Sequence, residues 1–455
     1  MMAVFKLNAT LQCPPRLVAA AVGAALSLLC GQPARAIGLV QAYEAALQND
    51  PAYRAAYYSN EAGKENRKLG LSNLLPNVSG SWNGSQNRTT LTEATRQGDV
   101  SVPRDYISRS ATVQVRQPLL NLDGWARYKQ GVAQTNYAAA QFDSQKQEVI
   151  FRVVNAYLDV LYKRDLLELA KVQRDMYAEQ RKVNDRMFDK GEGTRTDMLE
   201  TQARLDVSEA QVLESEDALT ASRDTLGTII GGEVDGVDDL VPEFRVRAAD
   251  GQPFEYWKKV AIEQNPDIKA LAYGVDIADS EVKKAYAGHA PRVDIVGTYG
   301  KTASDSINTY NQDQTIRSIG LQVNIPLYAG GQVNAQARQA VANREKAKAD
   351  LQAQIDKIVL ELRKDYSVMA SSVKRVDALL KSVASSETLI VATERSIKGG
   401  VRINLDALNA KQQLFTAKRD LAQARYNYLL TSLRMRASVG TLGESDVREM
   451  AANFR

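Results

Sequence analysis

Few residues in this chain are equipped for chemistry. Of its 455 residues, one is His and two are Cys. His289 stands just before Pro291 with no second His to join it, so neither a metal site nor His-based catalysis is indicated. Cys13 and Cys30 both lie in the first 30 residues, which leaves no C-x-x-C pair or disulfide framework further on. Gly191-Glu192-Gly193 is an isolated G-x-G without the third glycine and preceding strand of a nucleotide loop. The 54 Asp and Glu fall on helical stretches that show no pocket, so paired-carboxylate catalysis has no support. They nearly cancel the 58 Lys and Arg, and no basic field marks a nucleic-acid partner. What remains is ionic. Arg402 and Asp406 are four residues apart, and Asp197 follows the Gly191 turn. Within one helix such an i, i+4 pair is a solvated surface contact contributing a few tenths of a kcal/mol. A lone Asp just past a glycine turn fits a helix N-terminus. The chain offers charge and ion pairing rather than bond making, and no cofactor is implied.

The N-terminus reads as an export signal. Lys6 and Arg16 precede the apolar run Leu17–Cys30, and Ala34-Arg35-Ala36 supplies a small-x-small cleavage site. The run is shorter than the about 20 residues that span a bilayer. Leu28 and Leu29 stand before Cys30 where a lipid-attachment cysteine wants a small residue, so lipidation is not expected. Cleavage after Ala36 leaves 419 residues, no cysteine and a net charge of +1, because Lys6, Arg16 and Arg35 depart. No later stretch is apolar enough for a transmembrane helix.

Length alone suggests about three domains, but the chain repeats itself. Pro51 aligns with Pro266 and Pro76 with Pro291, both at an offset of 215. Residues 113–120 match 321–328 at an offset of 208, and Lys190–Asp197 matches Gly399–Asp406 at 209. Four landmarks in one order indicate two copies of one unit. In each, Asp or Asn before Pro starts a helix, about Pro51–Leu74 and Pro266–Ala287. A strand pair follows, then a very long helix, a glycine turn and a return helix. The long helices, about Leu122–Lys190 and Gly331–Lys398, contain no Pro and at 1.5 Å per residue reach about 100 Å. The second carries a seam of Leu351, Ile355, Ile358, Leu362, Tyr366, Met369, Val373, Val376, Leu380 and Val383, a heptad pattern with one extra four-residue step. The first has Ile150, Val153, Tyr157 and Val160 at the same spacing.

The strands, about 77–89, 106–117, 292–302 and 315–325, alternate apolar with polar residues, and the loops between them, about 90–104 and 303–315, are polar. Short alternating strands in an exported chain are the signature of a membrane β-barrel. Four strands cannot close alone, since hydrocarbon leaves an edge strand without partners. Two copies would give eight strands and three would give twelve, and twelve leave a water-filled lumen. Trp82, Trp125 and Tyr128 flank the strand pair as candidate interfacial aromatics.

On these marks the chain resembles the TolC-like outer-membrane efflux factor family over essentially its whole mature length. The most specific are the duplicated unit, Gln117-Pro118-Leu119-Leu120 with Pro326-Leu327-Tyr328-Ala329-Gly330-Gly331, and the turns at Gly191 and Gly400. The resemblance implies a mostly α fold with a small β part. It has two repeats of long antiparallel coiled-coil hairpins with four strands per chain, and a homotrimer forming a 12-stranded β-barrel and a 12-helix α-barrel tunnel. The expected layout is a signal peptide over 1–36, repeats over 37–230 and 257–440, an equatorial linker over 231–256 and a C-terminal tail over 441–455. The implied function is export of proteins or small toxic compounds, in type I secretion or tripartite efflux, with a periplasmic adaptor, an inner-membrane transporter and outer-membrane lipid as partners. A soluble periplasmic coiled-coil adaptor or scaffold is the alternative, though an adaptor usually has one hairpin and a lipoyl-like domain.

The resemblance also implies a closed periplasmic aperture at the hairpin tips. Arg402 would tie the second hairpin to Thr196 and Asp197 of the first, and Asp406 would ring the three-fold axis. Three converging carboxylates repel one another and attract cations. Where the family often has a second Asp this chain has Asn409, and where an aromatic partner is common it has Ile397. One carboxylate ring rather than two is therefore expected, with one gate hydrogen bond fewer.

Overall fold

The computed structural model describes residues 36–455 except 97, 242–243, 247–250 and 307–308. The expected signal peptide, with Cys13 and Cys30, lies outside the described residues apart from Ala36. In chain order the elements are α1 (Leu39–Asn49), α2 (Pro51–Lys64), α3 (Asn66–Ser72), β1 (Asn77–Thr95), β2 (Gly98–Leu120), α4 (Leu122–Asp189) and α5 (Arg195–Ile230). Then follow α6 (Phe254–Gln264), α7 (Pro266–Ala287), β3 (Arg292–Ser306), β4 (Thr309–Asn324), α8 (Gln332–Lys398), α9 (Asn404–Val439) and α10 (Glu444–Ala451). Among the described residues no helix is long and apolar enough to cross a membrane. The described residues group into two compact units, one of residues 36–45, 156–244 and 448–455, the other of 46–155 and 245–447.

In the first unit, Tyr157 of α4 holds three separate stretches of chain. Its hydroxyl donates to the Ile37 carbonyl at 3.1 Å and accepts from the Asp238 amide at 3.0 Å. Its ring meets Phe454 edge-on at 5.7 Å. Burial pushes this phenol well above its ordinary range, so it stays a neutral donor. Two turns further along α4, Arg164 pairs with Asp239 and donates to the Val237 carbonyl at 3.0 Å. Backbone bonds of 2.7 and 2.8 Å join Asp239 to Arg455. The linker and the C-terminal tail, expected to share one equatorial region, thus lie side by side.

The second unit begins with the two Pro-led helices. Asp50 caps α2 through the Ala52 amide at 2.9 Å, and Asn265 caps α7 through Asp267 and Ile268 at 2.9 and 3.2 Å. Asp50 also pairs with Arg152 of α4, whereas Asn265 donates to the Ser438 carbonyl at 2.9 Å. The helix expected over Pro51–Leu74 is broken into α2 and α3. The cause is Thr135 of α4. Its hydroxyl accepts from the Arg67 amide at 3.2 Å and reaches the Gly63 carbonyl at 3.1 Å, inserting where the helix would bond Arg67 to Gly63. Gly131 makes room for this approach, since a Cβ there would lie 2.4 Å from the Asn66 carbonyl oxygen.

The hairpin of α8 and α9 packs along much of the expected seam. Ile358, Leu362, Met369 and Val376 are buried. Leu380 is not: it is 44% exposed, and Leu379 instead packs with Val383 against Val376, Leu421 and Ala424. Ser372 and Ser386 occupy buried seam positions, which a reading confined to apolar residues passes over.

The sheet is antiparallel in the order β1-β2-β3-β4. The stretches 90–104 and 303–315, expected as loops, are mostly strand. In the first of them Thr92 pairs with Ser101 across the ladder at 2.8 Å, and the pairs Arg88 with Asp105 at 3.0 Å and Asn87 with Ser108 at 3.2 Å flank it. Polar cross-strand pairs stabilise strands as apolar ones do, so loss of apolar alternation did not mark a strand end. The two faces are inverted relative to a water-soluble sheet. Val78, Trp82, Val113, Val115, Ile319 and Leu321 are exposed, while Tyr106, Ser108, Ser110, Thr112, Gln114 and Arg116 on the other face of β2 are half-buried. Among the described residues β1 and β4 are each paired on one side only.

Candidate functional site: the tips of the helical hairpins

Both hairpins reverse direction on a glycine in the left-handed region, Gly191 at φ 76° and Gly400 at φ 74°. The resemblance assigns these tips to the gate, and their chemistry differs. In the first, Thr194 caps α5 and forms a full capping box with Asp197. The Asp197 amide donates to Thr194 Oγ1 at 3.1 Å, and the Thr194 amide and hydroxyl donate to Asp197 Oδ2 at 3.3 and 2.5 Å. Asp197 is therefore the helix N-terminal carboxylate that its place after the turn suggested. Thr194 was missed, although Thr194-x-x-Asp197 is a legible capping signature. Behind the turn, buried Asn184 donates to Thr201 Oγ1 at 2.7 Å, and Gln180 donates to Asn184 Oδ1 at 3.2 Å. Thr196 is exposed in the first turn of α5.

The second tip has neither fastening. The residue before α9 is Ile403, which has no side-chain oxygen to cap with. Asp406 sits in the first turn, as Asp197 does, but among the described residues no hydrogen bond or ion pair engages its carboxylate. Arg402 precedes the helix and is exposed. The reading of Arg402 and Asp406 as an i, i+4 pair on one helix is therefore corrected, because α9 begins at Asn404. Asn409 is exposed on the next turn. At the offset of 209, Asn184 and Thr201 become Thr393 and Ala410. Thr393 is 1% exposed, and its hydroxyl has no hydrogen-bond partner among the described residues. Salt bridges further along, Lys411 to Glu394 at 3.8 Å and Lys418 to Glu387 at 2.9 Å, hold the two helices.

A buried, unpaired hydroxyl costs about 1–3 kcal/mol. Thr393→Val keeps the shape and removes that cost, so the thermal midpoint is expected to rise. A lower midpoint would show that the hydroxyl has a partner in the working assembly. Among the described residues no group of three or more His, Cys, Asp or Glu is placed to hold a metal.

Three comparisons bear on what such a molecule is. The profile of the outer membrane efflux protein family matches residues 42–232 and 257–441. The alkaline protease secretion protein AprF of Pseudomonas aeruginosa is 39% identical over 433 residues, 94% of this chain and 90% of that protein. The proteases secretion protein PrtF of Dickeya chrysanthemi is 35% identical over 431 residues, 94% and 93% of the two chains. Among solved structures, the outer-membrane channel OprN superposes with a TM-score of 0.77 at 20% identity, covering 89% of this chain and 90% of that one, which shows the shared fold. A soluble adaptor is thereby set aside. The chain belongs to the outer membrane efflux protein family: it is a channel of the outer membrane that extends into the periplasm and serves efflux or secretion, and it is not an enzyme.

Proposed function

We propose that three copies of the chain close their sheets into a 12-stranded barrel in outer-membrane lipid and their long helices into a 12-helix periplasmic tunnel. The sheet carries this reading. Its apolar face is the exposed one, and among the described residues the edge strands, of 19 and 16 residues, have no partner on their outer sides. Hydrocarbon tolerates no such edge. Pairing β4 of one copy with β1 of the next removes every edge by symmetry. Three copies leave a water-filled lumen where two would not. The two stretches of family match and the repeated landmarks support an internal duplication, with one strand pair and one long hairpin per repeat. Detergent extracts of outer membranes are expected to contain a heat-modifiable trimer. Monomer in the periplasmic extract would overturn the reading.

The cargo is protein, passed outward in type I secretion with a periplasmic adaptor and an inner-membrane transporter. The support is the 39% and 35% identity, over 94% of this chain, to proteins named for protease secretion. A deletion strain is expected to lose one or more proteins from its culture supernatant while keeping its drug resistance. Normal secretion with new drug sensitivity would reassign the cargo to small toxic compounds.

The tips form the periplasmic gate. Arg402 ties the second hairpin to Thr196 and Asp197 of the first, Asp406 supplies the only carboxylate ring, and Asn409 and Ile397 leave the closure with fewer links. The exposed place of Arg402 before α9 and the unclaimed Asp406 carboxylate support these roles. A surface ion link contributes about 1 kcal/mol, enough to move a closed–open balance about fivefold. Arg402→Ser is expected to raise the time-averaged conductance of single channels in planar bilayers by that order. An unchanged conductance would remove Arg402 from the gate.

A further inference from the structure

On the exposed face of the sheet three basic residues stand together. Val113 is opposite Tyr299 and Tyr299 opposite Arg317; Ala111 is opposite Lys301; Arg109 is opposite Ala303. Directly opposed residues share a face, so Arg109, Lys301 and Arg317 lie on the apolar face, each on the diagonal from the next. Diagonal neighbours are about 7–8 Å apart, within reach of one ligand for long side chains. Among the described residues none of the three has an ion-pair partner, although Arg88 on the same face is paired with Asp105. Asp313, opposite Ala303 and four residues from Arg317, is the exposed carboxylate of this face on β4; it lies on the diagonal from Lys301 without pairing with it among the described residues. The Arg317 guanidinium lies over the Tyr299 ring at 5.7 Å. Trp82, opposite Ala111, is 72% exposed.

The cluster has a defined height on the strands. From Tyr299 back to the helix end, this face of β3 carries Gly297, Ile295 and Val293, and β4 carries Ile319, Leu321 and Val323 beyond Arg317. Eight residues separate Lys301 from Val293, about 27 Å along a strand and about 21 Å of membrane height at a tilt of about 40°. That is close to the apolar band of an outer-membrane barrel, about 25 Å. The basic residues and the aromatics beside them therefore stand at the rim away from the helices. Aromatic rings mark such an interface, and basic side chains there meet lipid phosphates.

We propose that Arg109, Lys301 and Arg317 bind the phosphate groups of phosphorylated lipid headgroups in the outer leaflet. The proposal rests on the barrel reading above. Guanidinium and ammonium groups held diagonally across three strands grip phosphate oxygens by charge-assisted hydrogen bonds, and Tyr299 stacks beneath Arg317 to hold its plane.

The test uses the purified full-length trimer in detergent, titrated with phosphorylated lipid A, with dephosphorylated lipid A and with inorganic phosphate. Binding is read by native mass spectrometry. Phosphorylated lipid is expected to bind wild type at least tenfold more tightly than the variant Arg109→Gln/Lys301→Gln/Arg317→Gln. Dephosphorylated lipid is expected to bind both alike, and inorganic phosphate to leave lipid binding unchanged. Arg88→Gln, whose residue is already paired, is expected to bind as wild type does. Equal affinity of wild type and triple variant for phosphorylated lipid would overturn the proposal. So would equal affinity of wild type for the two lipids, or displacement of lipid by phosphate. If the triple variant gives no trimer, Lys301→Gln alone is measured against the same criteria. Failure of the wild-type chain to appear as a heat-modifiable outer-membrane trimer would instead sink the barrel reading, so the two failures are distinguishable.

Discussion

Asp406→Asn is expected to weaken block of the channel by a trivalent cation about 100-fold in planar bilayers. In the proposed trimer three Asp406 carboxylates converge on one axis, and a trivalent cation at their centre makes nine unit-charge attractions. In water at about 6 Å each is worth about 0.7 kcal/mol, and at 0.1 M salt screening leaves roughly half. The total is about 3 kcal/mol, which is about 100-fold in affinity. The size of the effect depends on the carboxylate being unclaimed, as it is where Ile403 replaces a capping side chain. Asp197 provides the internal control. It stands at the same place in the first hairpin, but Thr194 holds its carboxylate through two bonds, from its amide and its hydroxyl. Asp197→Asn is expected to loosen the start of α5 and the link to Arg402, but to weaken cation block far less than Asp406→Asn does. If Asp406→Asn leaves block unchanged, the narrowest ring of charge is elsewhere.

The difference between these two aspartates shows what the sequence made legible. Helix starts at Asp50-Pro51 and Asn265-Pro266 could be read from residue type alone, because a cap needs only its own side chain and the next amides. So could the parity of the strands, since Val113 and Gln114 must point to opposite faces. The inversion of those faces could not, because period 2 says which residues share a face and not which face is covered. The strand ends were hidden for a related reason. Thr92 and Ser101 look like loop residues singly and become a cross-strand pair only once the register is known. The break between α2 and α3 depends on Thr135, 68 residues from Arg67. Leu380 was read into the seam by its type, while its neighbours on α9 select Leu379. The tip was partly readable. Thr194-x-x-Asp197 was in plain view, and so was the lack of a capping oxygen at Ile403. The roles given to Thr196 and Arg402 come from family resemblance, and the channel measurements test them directly.

The largest expected loss of stability comes from a single methyl group at Gly440. This residue ends α9 at φ 84°, donating to the Arg436 and Ala437 carbonyls at 3.0 and 2.9 Å. A Cβ there would lie 2.6 Å from the Asn265 Cα, 2.7 Å from its nitrogen and 2.8 Å from the Gln264 carbonyl carbon. These are backbone atoms at the α6–α7 junction, and they are pinned. The Asn265 amide donates to the Ala261 carbonyl at 3.0 Å, its side-chain oxygen caps α7, and its side-chain nitrogen bonds Ser438 at 2.9 Å. Relief of the clash would pull α9 from the start of α7 and break the bond to Ser438. The left-handed backbone costs about 1–2 kcal/mol for a residue with a Cβ, and forcing a methyl into a filled site adds about 1–3 kcal/mol. Gly440→Ala should therefore cost about 3–4 kcal/mol, a large share of the 5–15 kcal/mol that holds a typical domain folded. Gly400→Ala separates the two causes, since Gly400 has φ 74° but nothing within 4 Å of a Cβ. It should pay only the backbone strain and still yield trimer, whereas Gly440→Ala should give little trimer and a much lower thermal midpoint. Equal losses from the two substitutions would mean that strain alone acts at Gly440 and that the contact with Asn265 yields without cost.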